Sequence, residues 1–138
     1  MRKNGFTLIE LLVTISILAV LSTIGMLMYQ GVLSKARDAA RKNDLNKLAS
    51  ALEIYYQEKN KYPDNNSFSA EIAPKLSDNI VPKDPQNNPQ DPQSHPNYYY
   101  TGTDSAFTLC AKLEIPDLSI PTPPTCPSPL YNYGVIPK

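Results

Sequence analysis

The stretch LLVTISILAVLSTIGMLMY, residues 11–29, contains no charged side chain, and it decides how the chain must fold. About 20 apolar residues form an α-helix long enough to cross the roughly 30 Å hydrocarbon core of a bilayer. Arg2 and Lys3 precede the stretch, and Glu10 is the only charged residue between Phe6 and Ser34. The positive-inside rule therefore predicts one membrane-spanning helix with a cytoplasmic N-terminus, and it places the rest of the chain on the far side.

The remaining composition is uneven along the chain. The 138 residues carry no net charge, but residues 35–61 hold seven basic and four acidic side chains, whereas residues 62–138 hold four and eight. All 14 prolines lie at or after Pro63. The overall charge argues against a general nucleic-acid-binding protein. One histidine, His95, and no cluster of His, Cys and carboxylates at metal-ligand spacing argue against an enzyme, and we predict no cofactor.

The segment KNGFTLIELLV, residues 3–13, resembles the leader of type IV pilins and type II secretion pseudopilins. The resemblance implies that a dedicated prepilin peptidase cuts after Gly5 and that the new N-terminal Phe6 is methylated. It also matches Glu10 to the family's glutamate near the start of the mature chain. An ordinary signal anchor is the alternative that hydropathy alone leaves open.

Glu10 is predicted to act in assembly. A carboxylate inside a bilayer is unfavourable and needs a partner, and the next charged residue along the chain is Lys35. The resemblance implies that Glu10 pairs with the positively charged Phe6 amine of a neighbouring subunit and so sets the register between helices. The alternative is a solvated glutamate in the headgroup zone without a role.

The helix is predicted to continue beyond the membrane to about Asn60, because no proline occurs before Pro63 and strong helix formers dominate. Leu45, Leu48 and Leu52 recur at helical spacing and form one apolar stripe. The predicted fold is α+β and pilin-like. Its parts are a leader at 1–5, a transmembrane and filament-core half-helix at 6–34, an amphipathic half-helix at 35–62 and a small exported β-rich head at 63–138.

A basic zone follows the apolar segment. We interpret it as a solvated helix surface that includes Asp38 and Asp44, with contact to DNA or anionic headgroups as the alternative. The zone consists of Lys35, Arg37, Arg41, Lys42 and Lys47.

The C-terminal half is predicted to begin with loops and a short helix near residues 69–76. Residues 97–101 and 107–113 favour an antiparallel hairpin that buries the helical stripe. Tyrosines 98–100 are interpreted as packing residues, with an adhesive surface as the alternative. The order of residues 82–89 is similar to that of the major pseudopilin of type II secretion, whose carboxylate-rich calcium loop is lacking here. Asp104 and Asp117 alone are too few for calcium.

Cys110 and Cys126 are the only cysteines. An even pair on the exported side of a membrane indicates a disulfide, which would hold the Pro-rich segment 116–129 on the hairpin. Two unpaired thiols are the alternative.

The sequence therefore predicts a structural subunit and not an enzyme, initially a single-pass protein of the cytoplasmic membrane and later part of a periplasmic or extracellular filament. Its implied partners are further copies of itself, the prepilin peptidase, an inner-membrane assembly platform and minor pilins or pseudopilins. A type II secretion pseudopilus is favoured by residues 82–85. Two alternatives remain, a type IV pilin for adhesion, motility or DNA uptake, and a monomeric membrane-anchored binding module.

Overall fold

The computed structural model describes residues 5–86, 97–116, 126–127 and 131–137. Its first helix, α1, spans Leu8–Lys59, and a short helix, α2, spans Phe68–Ile72 and continues as a 3-10 turn at Ala73–Lys75. The strands are β1 (Tyr99–Gly102), β2 (Phe107–Ala111) and β3 (Tyr133–Val135). The chain divides into two compact units, Met1–Ser34 and Lys35–Lys138.

The first unit is the N-terminal part of α1. Large apolar side chains between Phe6 and Val32 are 47% to 82% exposed. The uncharged stretch within it is long and apolar enough to cross a membrane. The unit therefore presents an apolar surface that it does not bury itself.

The end of α1 agrees with the prediction. Asn60 adopts a left-handed conformation, with φ of 55°, and its N–H donates to the carbonyl oxygen of Tyr56 at 2.7 Å. Asparagine tolerates this conformation better than most residues and often ends helices. Pro63 then prevents the helix from resuming.

The second unit contains a three-stranded antiparallel sheet in the order β1-β2-β3. Tyr99 is opposite Cys110 in the β1–β2 pair, and Cys110 is opposite Gly134 in the β2–β3 pair. The hairpin and the short helix were predicted, whereas β3 was not, since three residues are too short for an alternating pattern to be recognised. All five β2 residues are buried, as expected for a central strand.

The core joins the helix to the sheet. Leu45, Leu48 and Leu52 are fully buried in the same cluster as Leu109 of β2, and Ile72 of α2 is buried there as well. The prediction that the helical stripe packs on the hairpin is confirmed. The long N-terminal helix and the small antiparallel sheet give the predicted α+β class.

Candidate assembly site

The start of α1 is organised by a reciprocal pair of hydrogen bonds. The backbone N–H and the Oγ1 hydroxyl of Thr7 donate to Glu10 Oε2 at 2.9 Å and 2.7 Å. The backbone N–H of Glu10 donates in return to Thr7 Oγ1 at 3.3 Å. This is a capping box, in which Thr7 is the N-cap residue and Glu10 the third helical residue.

The capping box gives Glu10 a partner that sequence reasoning missed. The signal was available, because Thr-Leu-Ile-Glu at residues 7–10 has the Ser/Thr-x-x-Glu spacing that precedes many helices. Both Thr7 donors bind one oxygen, Oε2. No hydrogen bond from a described residue reaches the other oxygen, Oε1, so Glu10 keeps an acceptor for a second donor.

The two residues at the predicted cleavage bond precede the helix. Gly5 and Phe6 are both exposed, and Phe6 is 82% exposed. A side chain added at Gly5 would meet no described atom within 4 Å. Packing within the described chain therefore gives no reason for a glycine at this position.

A second polar site, the Arg41 cluster, lies in the second unit. We use this name for Arg37, Asp38, Arg41, Asp84 and Glu114. The guanidinium of Arg41 is fully buried and binds Asp84 through two nitrogens, at 2.7 Å and 3.1 Å. The same guanidinium donates to Asp38 at 2.7 Å and to Glu114 at 3.0 Å.

The remaining contacts of the cluster bring the segment after β2 onto α1. Arg37 binds both carboxylate oxygens of Glu114, at 2.6 Å and 2.7 Å. Asp38 accepts the backbone N–H groups of Glu114 and Ile115, each at 2.9 Å. The carboxylates therefore compensate the charge of a guanidinium that is removed from water.

These contacts correct the interpretation of the basic zone. Burial lowers the pKa of Arg41, but its hydrogen bonds to Asp84, Glu114 and Asp38 outweigh that effect and raise the pKa above the ordinary value. The hydrogen bond to Glu114 likewise raises the pKa of Arg37. A solvated helix surface was the wrong interpretation for Arg41 and Asp38, because both are buried, at 0% and 6% exposure, beneath segments far along the chain. Lys35 and Lys47 are exposed, as that interpretation expected.

Cys110 and Cys126 form a disulfide with an S–S distance of 2.08 Å. Cys110 lies on the central strand and is fully buried, and Cys126 is 6% exposed. Most of segment 116–129, which this bond was predicted to hold, lies outside the described residues.

The three tyrosines at residues 98–100, at the start of β1 and just before it, pack within the head. Tyr100 is buried and donates to the carbonyl oxygen of Pro63 at 2.7 Å, and Tyr98 donates to Asp44 at 2.9 Å. The ring of Tyr99 lies 5.7 Å from that of Tyr131. The packing interpretation is therefore confirmed.

No group of three or more His, Cys, Asp or Glu residues is placed to hold a metal ion within the described part of the chain. Asp104 is exposed in the turn between β1 and β2. Asp117, the other residue considered for calcium, lies outside the described residues.

Comparison with known proteins finds similarity at the N-terminus and beyond it. Residues 1–26 match the model of the prokaryotic N-terminal methylation motif. Three relatives are each named type II secretion system core protein G. The chain is similar to these three proteins and to the methylation-motif model.

The similarity to these relatives extends beyond the motif. The relative from Dickeya chrysanthemi is 32% identical over 90 residues, which cover 65% of this chain and 57% of the relative. The relative from Pectobacterium carotovorum is 33% identical over 90 residues, with 65% and 56% covered. The Pseudomonas aeruginosa relative is 28% identical over 115 residues, with 78% and 81% covered. The matched region thus spans little more than half of the first two relatives. No solved structure matches the chain.

Proposed function

We propose that this chain belongs with the type IV pilins and type II secretion pseudopilins and is a pseudopilin, a subunit that leaves the membrane and assembles into a type II secretion pseudopilus. The observation that carries the proposal is the helix unit up to Ser34, which exposes apolar side chains along its length and begins with the methylation motif. A helix that is apolar all round must be covered by lipid or by other helices. Both environments are used in turn by a subunit that is first anchored and later packed into a filament.

The proposed first step is cleavage between Gly5 and Phe6 by a prepilin peptidase, followed by methylation of Phe6. The exposed position of both residues ahead of α1 supports access by a peptidase. The open space at Gly5 supports a requirement imposed by an enzyme and not by folding. In this proposal residues 1–5 are the leader, the N-terminus is cytoplasmic and the head is exported.

The proposed second step uses Glu10 as a receptor for the Phe6 amine of a neighbouring copy. Thr7 holds the carboxylate through Oε2, and Oε1 can accept the incoming cation. A charge-assisted hydrogen bond in a medium of low dielectric constant is stronger than one in water. The pair would therefore favour one stagger between adjacent helices. Residues 6–34 would then form the filament core, and an assembly platform and minor pseudopilins would complete the machinery.

Counting filaments tests the proposal. Glu10→Gln keeps the size of the side chain but removes its charge, so we expect few or no filaments by electron microscopy when the variant is expressed with its secretion machinery. Glu58→Gln, which alters an exposed glutamate further along α1, is the control and should assemble normally. Normal filaments from Glu10→Gln would contradict the proposed role of the carboxylate.

Intact-mass analysis of the same filaments tests processing. A subunit that begins at methylated Phe6 is expected. A subunit that retains residues 1–5 would show that the leader is not removed and would contradict the proposal. Loss of protein secretion in strains that lack the chain distinguishes a pseudopilus from a type IV pilus, which would affect adhesion, motility or DNA uptake instead.

A further inference from the structure

The second unit contains a groove that has no role in the proposed function. It has a volume of about 480 Å³. One wall is a face of α1, formed by Lys35, Ala39 and Lys42, and the other wall is the segment after β2, formed by Leu113, Ile115 and Pro116. Ile115 is 46% exposed although it is a large apolar residue.

The groove is held in shape by the Arg41 cluster. Asp38 lies between the two walls, is 6% exposed and binds the backbone N–H groups of Glu114 and Ile115. Arg37 holds the carboxylate of Glu114 from the same helix. Because these contacts fix the segment after β2 against α1, the groove is present in the single chain without an occupant.

We propose that this groove receives part of a second copy of this chain in the filament. The inference rests on the proposed assembly of residues 6–34. Lys35 directly follows Ser34, so the groove begins where the helix-to-helix interface of that assembly ends. A neighbouring chain that packs along residues 6–34 up to their end would reach the residue that precedes Lys35 in the sequence.

Charge complementarity supports a second copy as the occupant. The helical wall carries Lys35 and Lys42, and residues 35–61 contain seven basic and four acidic side chains. Residues 62–138 contain four basic and eight acidic side chains. When the residues that pair inside the Arg41 cluster are left out, residues 35–61 still hold five basic and three acidic side chains, and residues 62–138 hold four and six. The basic wall of one subunit and the acidic C-terminal half of the next therefore attract each other, and opposite charges at an interface favour one orientation.

Thiol labelling tests occupancy of the groove. Ala39→Cys places an exposed thiol on the helical wall, and the native cysteines do not react because they are joined in a disulfide. We expect fast maleimide labelling of the full-length monomer in detergent and at least about tenfold slower labelling in filaments. Ser105→Cys, in the exposed turn between β1 and β2, is the control and should label at similar rates in both.

Three outcomes would overturn the inference. Equal labelling of Ala39→Cys in monomer and filament would show that no copy enters the groove. Slow labelling already in the detergent monomer would show that the chain covers the groove itself. Protection on vesicles of phosphatidylglycerol, without filaments, would identify an anionic lipid as the occupant.

A second variant tests whether the groove matters for assembly. Ile115→Glu introduces a charge on the apolar wall, and burying it in an interface is unfavourable, so we expect at least about tenfold fewer filaments. Ile136→Glu changes a residue of similar exposure, 55% against 46%, and should assemble normally. Equal yields from both variants would contradict this inference alone, whereas the proposed function is tested separately by the filaments of Glu10→Gln and by the mass of the mature subunit.

Discussion

Two residues, Thr7 and Glu10, determine how the carboxylate at the start of α1 is held. Glu10 looked isolated in the sequence because no cation lies near it, yet Thr7 supplies two donors from three residues away. The interaction is local, so the sequence could have predicted it from the spacing alone. The Phe6 partner in a neighbouring copy cannot be derived from one chain and rests on the family resemblance.

Replacing Thr7 tests whether the capping box prepares Glu10. Thr7→Val removes the hydroxyl that donates to Oε2 and accepts from the Glu10 N–H. Loss of an N-cap costs about 0.5–2 kcal/mol of helix stability, so we expect fewer filaments than wild type. Thr7→Ser keeps the hydroxyl and should restore the yield. Equal yields from the valine and serine variants would show that the hydroxyl has no role.

Asp84 is the residue that compensates Arg41 most directly. Asp84→Ala would leave a buried guanidinium with fewer partners, and breaking a buried pair in this way costs about 3–5 kcal/mol. We expect a large drop in the free energy of unfolding, measured by chemical denaturation. Asp104→Ala, at an exposed turn position, should change it by less than about 0.5 kcal/mol. A small effect at Asp84 would mean that Asp38 and Glu114 suffice.

Among the helices and strands, the sequence predicted those that depend on a local pattern of residues. The end of α1, the short α2 and the β1–β2 hairpin follow from helix formers, proline and alternating residues. Arg41 and Asp38 are three residues apart, but the Arg41 cluster was missed because its other pairs join residues 43 to 77 positions apart. A charged residue on a helix face is normally solvated. The sequence therefore does not show that Arg41 is buried, because its burial depends on contacts among three distant segments.

Gly102 links the hairpin to the segment after α1. A side chain there would collide with the ring and hydroxyl of Tyr100 and would lie 2.8 Å from the carbonyl oxygen of Pro63. The Tyr100 hydroxyl donates to that oxygen, so neither group can move without losing the bond. We expect Gly102→Ala to lower the free energy of unfolding by about 1–3 kcal/mol in chemical denaturation. An unchanged value would show that the hairpin end can shift.

The second unit is stabilised by the disulfide as well as by its hydrophobic core. The bond joins residues 16 apart, and closing a loop of that size contributes about 3 kcal/mol in the chain-entropy model. We expect reduction to lower the melting temperature of the full-length protein in detergent. The doubly substituted Cys110→Ala/Cys126→Ala variant should melt at a similarly low temperature and should not respond to reductant. Equal melting temperatures with and without reductant would contradict this prediction.

Alkaline pH should weaken the head because the folded structure raises the pKa of five tyrosines, most strongly those of Tyr55, Tyr98 and Tyr100. A hydrogen bond to Glu71 and burial raise the pKa of Tyr55 to about 12. Burial and the hydrogen bond to Asp44 raise the pKa of Tyr98. Burial and the nearby charge of Asp64 raise the pKa of Tyr100.

In the unfolded chain a tyrosine ionises near pH 10. The stabilising contribution of each raised pKa is therefore complete below about pH 10 and is lost as the pH rises from there through the folded-state pKa. We expect the free energy of unfolding to be level between about pH 8 and 9 and to fall above about pH 10, with a shallower fall in Tyr98→Phe. A level profile up to about pH 11 would show that the three hydroxyls ionise as readily in the folded head as in the unfolded chain.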